Sequence, residues 1–532
     1  MRKILTTLLA VAMLAALMAG CTSAAPSASP AAATAKPADT AAADTADDAV
    51  EAATEPEGID ISKEVTLIMY VLGDEPSDLN RVYEEFNKLL KDRINATLKT
   101  NYLSWGDWQT KYALVLAAGE SIDLMYTSDW AYYTTETAKG SFYELTDEFL
   151  QTYMPLSMAS QHPASIKQAT IGGKLFAMPK NLSGLEGESW VAIRKDLREK
   201  YGMDEIKNIE DLEAFYIKVT ENENFLPYAA SADGGFNAQA WRQPHQLYYL
   251  TNIDWCYQIS GREIKAPKDF SEITYSWFRD DAMPYYELMK KWAGLNFWSK
   301  NAIANTEQVR DAFENGKSAS LTWNPTIFSA GKNLRENNAE WDFEAIDINP
   351  GTIRKQSLYT NDAIAIAATS QNPERAAMFI DLVKNDLELH LALIGGIEGV
   401  HYVLEDGTRA PGPEADKYPW NPSTWCFNPA EDFLRTDVPV TPDQAPFEAI
   451  QKELLLAPDM AAFRFDVELV KNELAAINAL RDEYRPMLQL GMVDDIDATV
   501  AEWKGKVEAA GLAAVEAELK KQYEAWYATL EY

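Results

Sequence analysis

The sequence predicts an α/β fold with an added helical tail, and three observations carry that prediction. An unbroken apolar run from Val65 to Leu72 reads as a strand buried on both faces. Strand and helix patterns then alternate with short links as far as Thr127, the signature of a parallel sheet covered by helices. From Phe463 onward the period changes, and apolar residues recur three and four apart in three successive blocks.

After the first strand, Gly73-Asp74-Glu75-Pro76 forms a turn, and Leu79, Val82, Phe86 and Leu90 mark an amphipathic helix begun near Ser77 or Asp78. Ala96 to Leu103 is the second strand. A second helix runs through Trp108, Tyr112 and Leu116 and is closed by Gly119, and Ile122 to Thr127 is the third strand. Ligands of such sheets bind beyond the carboxyl ends of the strands, where loops converge. That rule nominates Gly73 and Asp74 after the first strand, Ser104 and Trp105 after the second, and Ser128, Asp129 and Trp130 after the third.

A second α/β region follows the hairpin signal Ile171-Gly172-Gly173-Lys174. Trp190 to Ile193 reads as a strand, Ile209, Leu212, Phe215 and Val219 as a helical stripe, and Val309 and Phe313 as a short helix ending at Asn315-Gly316. Ala319 to Trp323 is a strand closed by Asn324-Pro325. Tyr359 to Ala368 is another, after which Asn372 caps a helix with Pro373 at its first position. This order takes the chain between two lobes more than once, with Asn181 to Gly187 and Tyr359 to Asp362 as hinge segments. In the tail, Gly491 and Gly511 separate three helices: one carrying Leu474, Ile477 and Leu480, one Ile496, Val500 and Trp503, and one Val515, Leu519 and Trp526.

Composition bounds the function. A chain of 532 residues, 47% hydrophobic, is too long for one core and has apolar surface for two or three. The 81 Asp and Glu against 48 Lys and Arg disfavour phosphate backbones, so nucleic acid is not an expected partner. With 15 Trp and 25 Tyr there is more aromatic surface than cores of this size require, and part of it is expected to face a ligand.

The N-terminus sets the compartment. Arg2 and Lys3 precede an apolar run, Ile4 to Met18, followed by Ala19, Gly20 and Cys21, the layout of a secretory signal. The run falls short of the roughly 20 residues that span hydrocarbon. Leu17-Met18-Ala19-Gly20-Cys21 resembles a bacterial lipobox, with Met18 where Leu, Val or Ile is usual, which makes Cys21 the lipidated N-terminus of the mature protein. Thr22 to Gly58 is almost wholly Ala, Pro, Ser, Thr, Asp and Glu and reads as a tether. The remaining thiols, Cys256 and Cys426, fit two buried free cysteines or one disulfide equally.

No familiar catalytic or metal motif is present. The four histidines form no zinc spacing, and Gly316-Lys317-Ser318 lacks the glycine that opens a phosphate loop, since Asp311 stands there. Asp494, Asp495 and Asp497 lack the glycine and terminal glutamate of a calcium loop and suit a helix start. Catalytic residues, cofactors and metals are therefore expected to be none.

Three stretches resemble the family 1 extracellular solute-binding proteins of carbohydrate importers. They are Ala117 to Leu124, Ile171 to Pro179, and Arg194-Lys195-Asp196-Leu197. Gly395 to Tyr402, Phe465-Asp466 and Ala475 to Ala479 resemble LipO-type lipoproteins, which end in a domain without assigned function. The resemblance implies a two-lobed, type II periplasmic-binding-protein-like clamshell with a C-terminal helical region. It also implies an oligosaccharide ligand, an ABC importer permease as partner, and a monomeric lipoprotein outside the cytoplasmic membrane. The expected domains are a signal peptide (1–20), a tether (21–60), a first lobe (61–180, completed by about 350–400), a second lobe (181–349) and a mostly helical region (401–532).

A sugar offers apolar C–H faces and a rim of hydroxyls, which suit indole faces beside amide and carboxylate acceptors. Trp105, Trp130, Trp190 and Trp323 stand at strand ends or crossings with Asp74, Asp129 and Asn324 beside them, and these seven are the expected ligand contacts. Glu398 joins them from the Gly395-Gly396 turn, with His401 and Tyr402 as neighbours, and Trp420 and Trp425 are placed in a wall or a core. A surface glycoside hydrolase and a peptide or amino-acid receptor are the competing readings.

Overall fold

The computed structural model describes residues 59–181, 184, 190–232, 245–251, 253–259, 265–405, 408–419, 422–428, 441–456 and 463–530. Cys21, the tether, Trp420 and most of the 181–187 hinge lie outside these residues. Among the described residues no helix is long and apolar enough to cross a membrane.

Two hydrophobic cores organise the body. The first surrounds a five-stranded sheet in the order Ala96–Leu103, Val65–Leu72, Leu124–Thr127, Ala363–Ile366, Ala177–Pro179. Its first three strands are parallel, and their faces are covered by the helices Leu79–Ile94, Trp108–Ala117 and Pro373–Asn385. The parallel pattern expected of these three strands holds, and the sheet is completed by a strand that runs against them. Ala363–Ile366 runs antiparallel to both neighbours, Ala363 facing Thr127 on one side and Pro179 on the other. The chain arrives there from the other lobe, so it enters at the carboxyl edge of the parallel strands and must run away from it.

The second core surrounds a four-stranded sheet in the order Phe343–Ile346, Trp190–Arg194, Ser318–Trp323, Leu226–Tyr228. Trp190 pairs directly with Trp323, so the strand that begins at a crossing and the strand that ends beside it share one edge of this sheet. A smaller antiparallel sheet holds Cys256. Cys256 and Cys426 are buried in different cores and form no disulfide, which resolves the open choice.

The tail helices Lys471–Gln489, Ile496–Ala509 and Leu512–Tyr527 share the second core: Ile477, Leu488, Trp503, Val515 and Leu519 are fully buried in it. Trp298 donates its indole N–H to the Leu490 carbonyl at 3.0 Å. Gly491 sits at φ +65° with its missing Cβ position 2.5 Å from the Met289 carbonyl oxygen, so a side chain there meets backbone. Residues after 400 do not all join this helical region. Tyr418, Cys426 and Phe427 pack into the first core, and Tyr402–Glu405 pairs with Thr408–Pro411 as a hairpin.

Asn372 stands at the N-cap position with Pro373 at the first turn, but its amide donates to Asp123 at 3.3 Å and caps nothing. Asp123 is the stronger organiser, accepting also from the Ile68 N–H at 2.9 Å and the Ser370 hydroxyl at 2.6 Å.

His390 is fully buried, and its Nδ1 faces the Val383 carbonyl at 2.9 Å, so that nitrogen carries the proton and donates. Burial pushes its pKa down to about 4. An unfolded histidine takes up its proton near pH 6.5, so stability is intact above that value and is lost as pH falls from about 6.5 towards 4. The loss from this group should approach about 3 kcal/mol. Urea titrations between pH 7 and 4.5 should show a steeper decline for the wild type than for His390→Gln; equal slopes would remove His390 as a cause.

Candidate functional site

The carboxyl edge of the first sheet carries an aromatic platform. Trp105 follows the second strand in a turn tied by the Ser104 hydroxyl, which donates to Asp107 at 2.8 Å. Trp130 follows the third strand in a loop closed by Ser128, whose hydroxyl accepts the Ala131 N–H at 2.8 Å. The loop turns through Tyr132 at φ +62°. The two indoles lie 6.3 Å apart at 30°, and Trp105 is 40% and Trp130 38% exposed.

Trp130 is fixed from behind. Trp108 meets it edge-on at 5.6 Å, Tyr126 packs at 5.8 Å, and its indole N–H donates to the Asn361 carbonyl at 2.8 Å. Trp108 is itself held against Tyr132, and Tyr132 against Tyr112. An exposed ring with a locked orientation loses little entropy when a ligand stacks on it.

Asp129 is placed beside this platform, but its carboxylate does not point at an open site. It accepts from both terminal nitrogens of Arg464 and from the Thr360 hydroxyl. This makes it an anchor for the loop instead of the expected hydrogen-bonding group for a ligand, because a guanidinium fork occupies its oxygens. Asp74 is exposed after Gly73, whose N–H donates to the Leu103 carbonyl at 2.8 Å, so it lies at the end of the first strand next to the second.

In the second lobe, Trp323 ends its strand 41% exposed. Asn324 spends its Oδ1 on the Thr326 N–H at 2.9 Å, in the turn that starts the helix Ile327–Asn337. Trp190 is placed differently from the expectation. It is 2% exposed, with Phe328 and Phe447 edge-on at 6.0 and 5.0 Å, and so it is core. Phe447 belongs to the helix Gln444–Glu453, which returns over this strand from a distant part of the sequence. Trp425 is half-buried.

Glu398 is exposed on a turn of the first lobe where the Gly399 N–H donates to the Tyr402 carbonyl at 2.7 Å. Its neighbour His401 is buried, accepts the Ile397 N–H at Nδ1 and therefore donates through Nε2 to Asp78 at 3.2 Å. Asp78, His401 and Glu414 bring three possible metal donors within 4.8 Å of one another. Arg81 already bridges Asp78 and Glu414, and Lys417 also pairs with Glu414. Both carboxylates are neutralised and the imidazole presents a proton, which is the chemistry of a closed ion-pair network.

Below the platform lies a polar cluster that sequence reasoning missed. Lys180 pairs with Asp362 at 2.7 Å, and the buried Tyr126 hydroxyl donates to the same carboxylate at 2.7 Å. Lys384 donates to the Pro179 carbonyl at 2.6 Å, and burial pushes its ammonium down to about 7. Burial drives the Cys426 thiol well above the usual range, so it is no nucleophile. No local motif could reveal these contacts, because their members lie up to 236 residues apart.

Comparison with known proteins gives the family. Residues 73–386 match the bacterial extracellular solute-binding proteins, and residues 459–528 match a domain of unknown function, DUF3502. A carbohydrate ABC transporter substrate-binding protein of Streptococcus pneumoniae serotype 4 is 24% identical over 480 residues, 87% of this chain and 91% of that one. The N-glycan transport solute binding protein NgtS from Streptococcus pneumoniae, solved with Man1GlcNAc, superposes with a TM-score of 0.69 at 20% identity over 87% of this chain and 99% of that one. The alginate-binding protein AlgQ2 without calcium ion superposes with a TM-score of 0.63 at 14% identity, again over 87% and 99%. With a match over residues 73–386 and a two-lobed α/β body carrying helices at its end, this chain belongs to the bacterial extracellular solute-binding protein family.

Proposed function

We propose that the chain captures an oligosaccharide between its lobes and delivers it unaltered to the permease of an ABC importer. The observation that carries this reading is the pair of exposed indoles at the carboxyl edge of the first sheet, Trp105 beside the orientation-locked Trp130. Adjoining aromatic faces suit successive apolar sugar faces, while Trp323 at the crossing edge of the second sheet supplies a ring from the other lobe. Asp74 and Asn324 are the polar neighbours assigned to sugar hydroxyls. Asp129 acts indirectly, by holding the Trp130 loop.

Closure follows from contacts to both lobes: a ligand that touches Trp130 and Trp323 together favours the closed state by its extra affinity for it. Hinge motion is assigned to the crossing at Tyr359–Asp362. A diacylated Cys21 with the acidic tether behind it would hold a monomer at the outer face of the cytoplasmic membrane. The relatives, which are binding proteins, support the class of ligand and binding without turnover.

The test is calorimetry and native mass spectrometry against Man1GlcNAc, larger mannose-containing glycans, alginate oligomers, fructo-oligosaccharides and short peptides. Stoichiometric retention of an intact saccharide is expected. Release of shortened products would mean a glycosidase, and retention of peptides alone would mean a peptide receptor. Trp323→Ala should weaken saccharide binding about tenfold with the melting temperature nearly unchanged, because a half-exposed strand-end ring contributes little packing.

A further inference from the structure

The region of unknown function sends one side chain against the Trp130 loop of the first lobe. Phe463 and Phe465 are buried in the second core, where Phe463 packs on Tyr523 at 5.6 Å and Trp526 at 5.4 Å of the last helix. Arg464, between them, goes the other way and ends against the first lobe, with its side chain 5% exposed. Its Nε donates to the Gln168 carbonyl at 2.7 Å. Its terminal nitrogens donate to both oxygens of Asp129 and to the Thr360 hydroxyl at 2.6 Å.

All three acceptors bear on Trp130. Asp129 is the preceding residue, and its N–H donates to the Thr360 carbonyl at 2.9 Å. Thr360 precedes Asn361, whose carbonyl holds the Trp130 indole N–H. Gln168 accepts the Tyr359 N–H at 2.8 Å through its side chain while its carbonyl takes Arg464, so it fixes the start of the same crossing. One guanidinium therefore ties together the Trp130 loop, the crossing at residues 359–362 and the tail helices. Separating a buried, bidentate pair strands a charge, so this joint persists while the lobes move around it.

We propose that Arg464 is a positioning residue of the ligand site: the C-terminal helical domain, through this one side chain, sets the orientation of the Trp130 loop and supplies a fixed point of the hinge. The proposal rests on the ligand reading above only for its effect on affinity. Its effect on the loop holds without any ligand. Lysine keeps the charge but lacks the planar fork, so its single nitrogen cannot span the three acceptors that arginine joins.

The experiment uses the full chain with Arg464→Lys and Thr360→Val, the second removing a hydroxyl from the network while leaving Arg464 and Asp129 in place. In ligand-free protein, hydrogen exchange of the peptide covering residues 128–132 should accelerate about tenfold in Arg464→Lys and less in Thr360→Val, with the Lys471–Gln489 helix unaffected. Affinity for Man1GlcNAc should fall about tenfold in Arg464→Lys, and by less than about twofold when the same change is made in a Trp130→Ala background, because two residues acting through one ring do not add. Unchanged exchange at 128–132, acceleration spread evenly through both lobes, or fully additive affinity losses would each overturn the proposal. Localised acceleration in a protein that binds no saccharide would uphold the positioning role and sink the ligand reading.

Discussion

The double variant Trp105→Ala, Trp130→Ala is expected to bind oligosaccharide about a hundredfold more weakly than the wild type, close to 2.7 kcal/mol. Each ring presents over a third of its surface to solvent, so each has a face to give to a ligand. Stacking on an indole combines area burial with a directional contribution of about 0.5–1.5 kcal/mol, and two rings reach the expected total. The single variants should each lose about tenfold, with some coupling because the rings lie 6.3 Å apart. Stability should change little. Trp130 gives up one hydrogen bond to Asn361, a carbonyl that water can reach once the ring is gone, at a cost of about 1 kcal/mol. Calorimetry with the saccharide retained by the wild type checks the affinity, and circular dichroism melting checks the fold. Undiminished affinity in the double variant would move the ligand off the platform.

Trp190→Ala should do the reverse, costing about 3–5 kcal/mol of second-lobe stability while the folded protein keeps its affinity. Trp190 is packed edge-on between Phe328 and Phe447, and deleting it opens a cavity that a strand fixed on both sides cannot close. Urea unfolding monitored by circular dichroism should show the loss. A variant as stable as the wild type but unable to hold saccharide would return Trp190 to the ligand site.

These two variants show where sequence reading reached its limit. Trp130 and Trp190 each stand next to a strand end, and nothing local distinguishes them. The difference is made by Phe447, which arrives over Trp190 from more than 250 residues away, and by Asn361 and Trp108, which hold Trp130 from behind and leave its face open. Asp129 is a similar case. It stands beside Trp130 as its chain neighbour, yet its carboxylate is taken by Arg464, 335 residues on. The local elements were legible because they follow from backbone periodicity: Val65–Leu72 and Ala96–Leu103 are strands over their full expected lengths, and Leu79–Ile94 starts after Asp78.

The sequence by itself determined the α/β alternation, the helical tail and which loops lie at the carboxyl edge of the first sheet. Those properties depend on periods of two and three to four residues and on turn residues such as Gly119 and Gly491, all of which act over a few positions. Only the tertiary structure decided the direction of Ala363–Ile366, the sharing of one core by the second lobe and the tail, and which tryptophans remain open. Each is set by the burial of surfaces that meet across hundreds of residues, and the free energy of that burial belongs to the pair of surfaces and to neither segment alone.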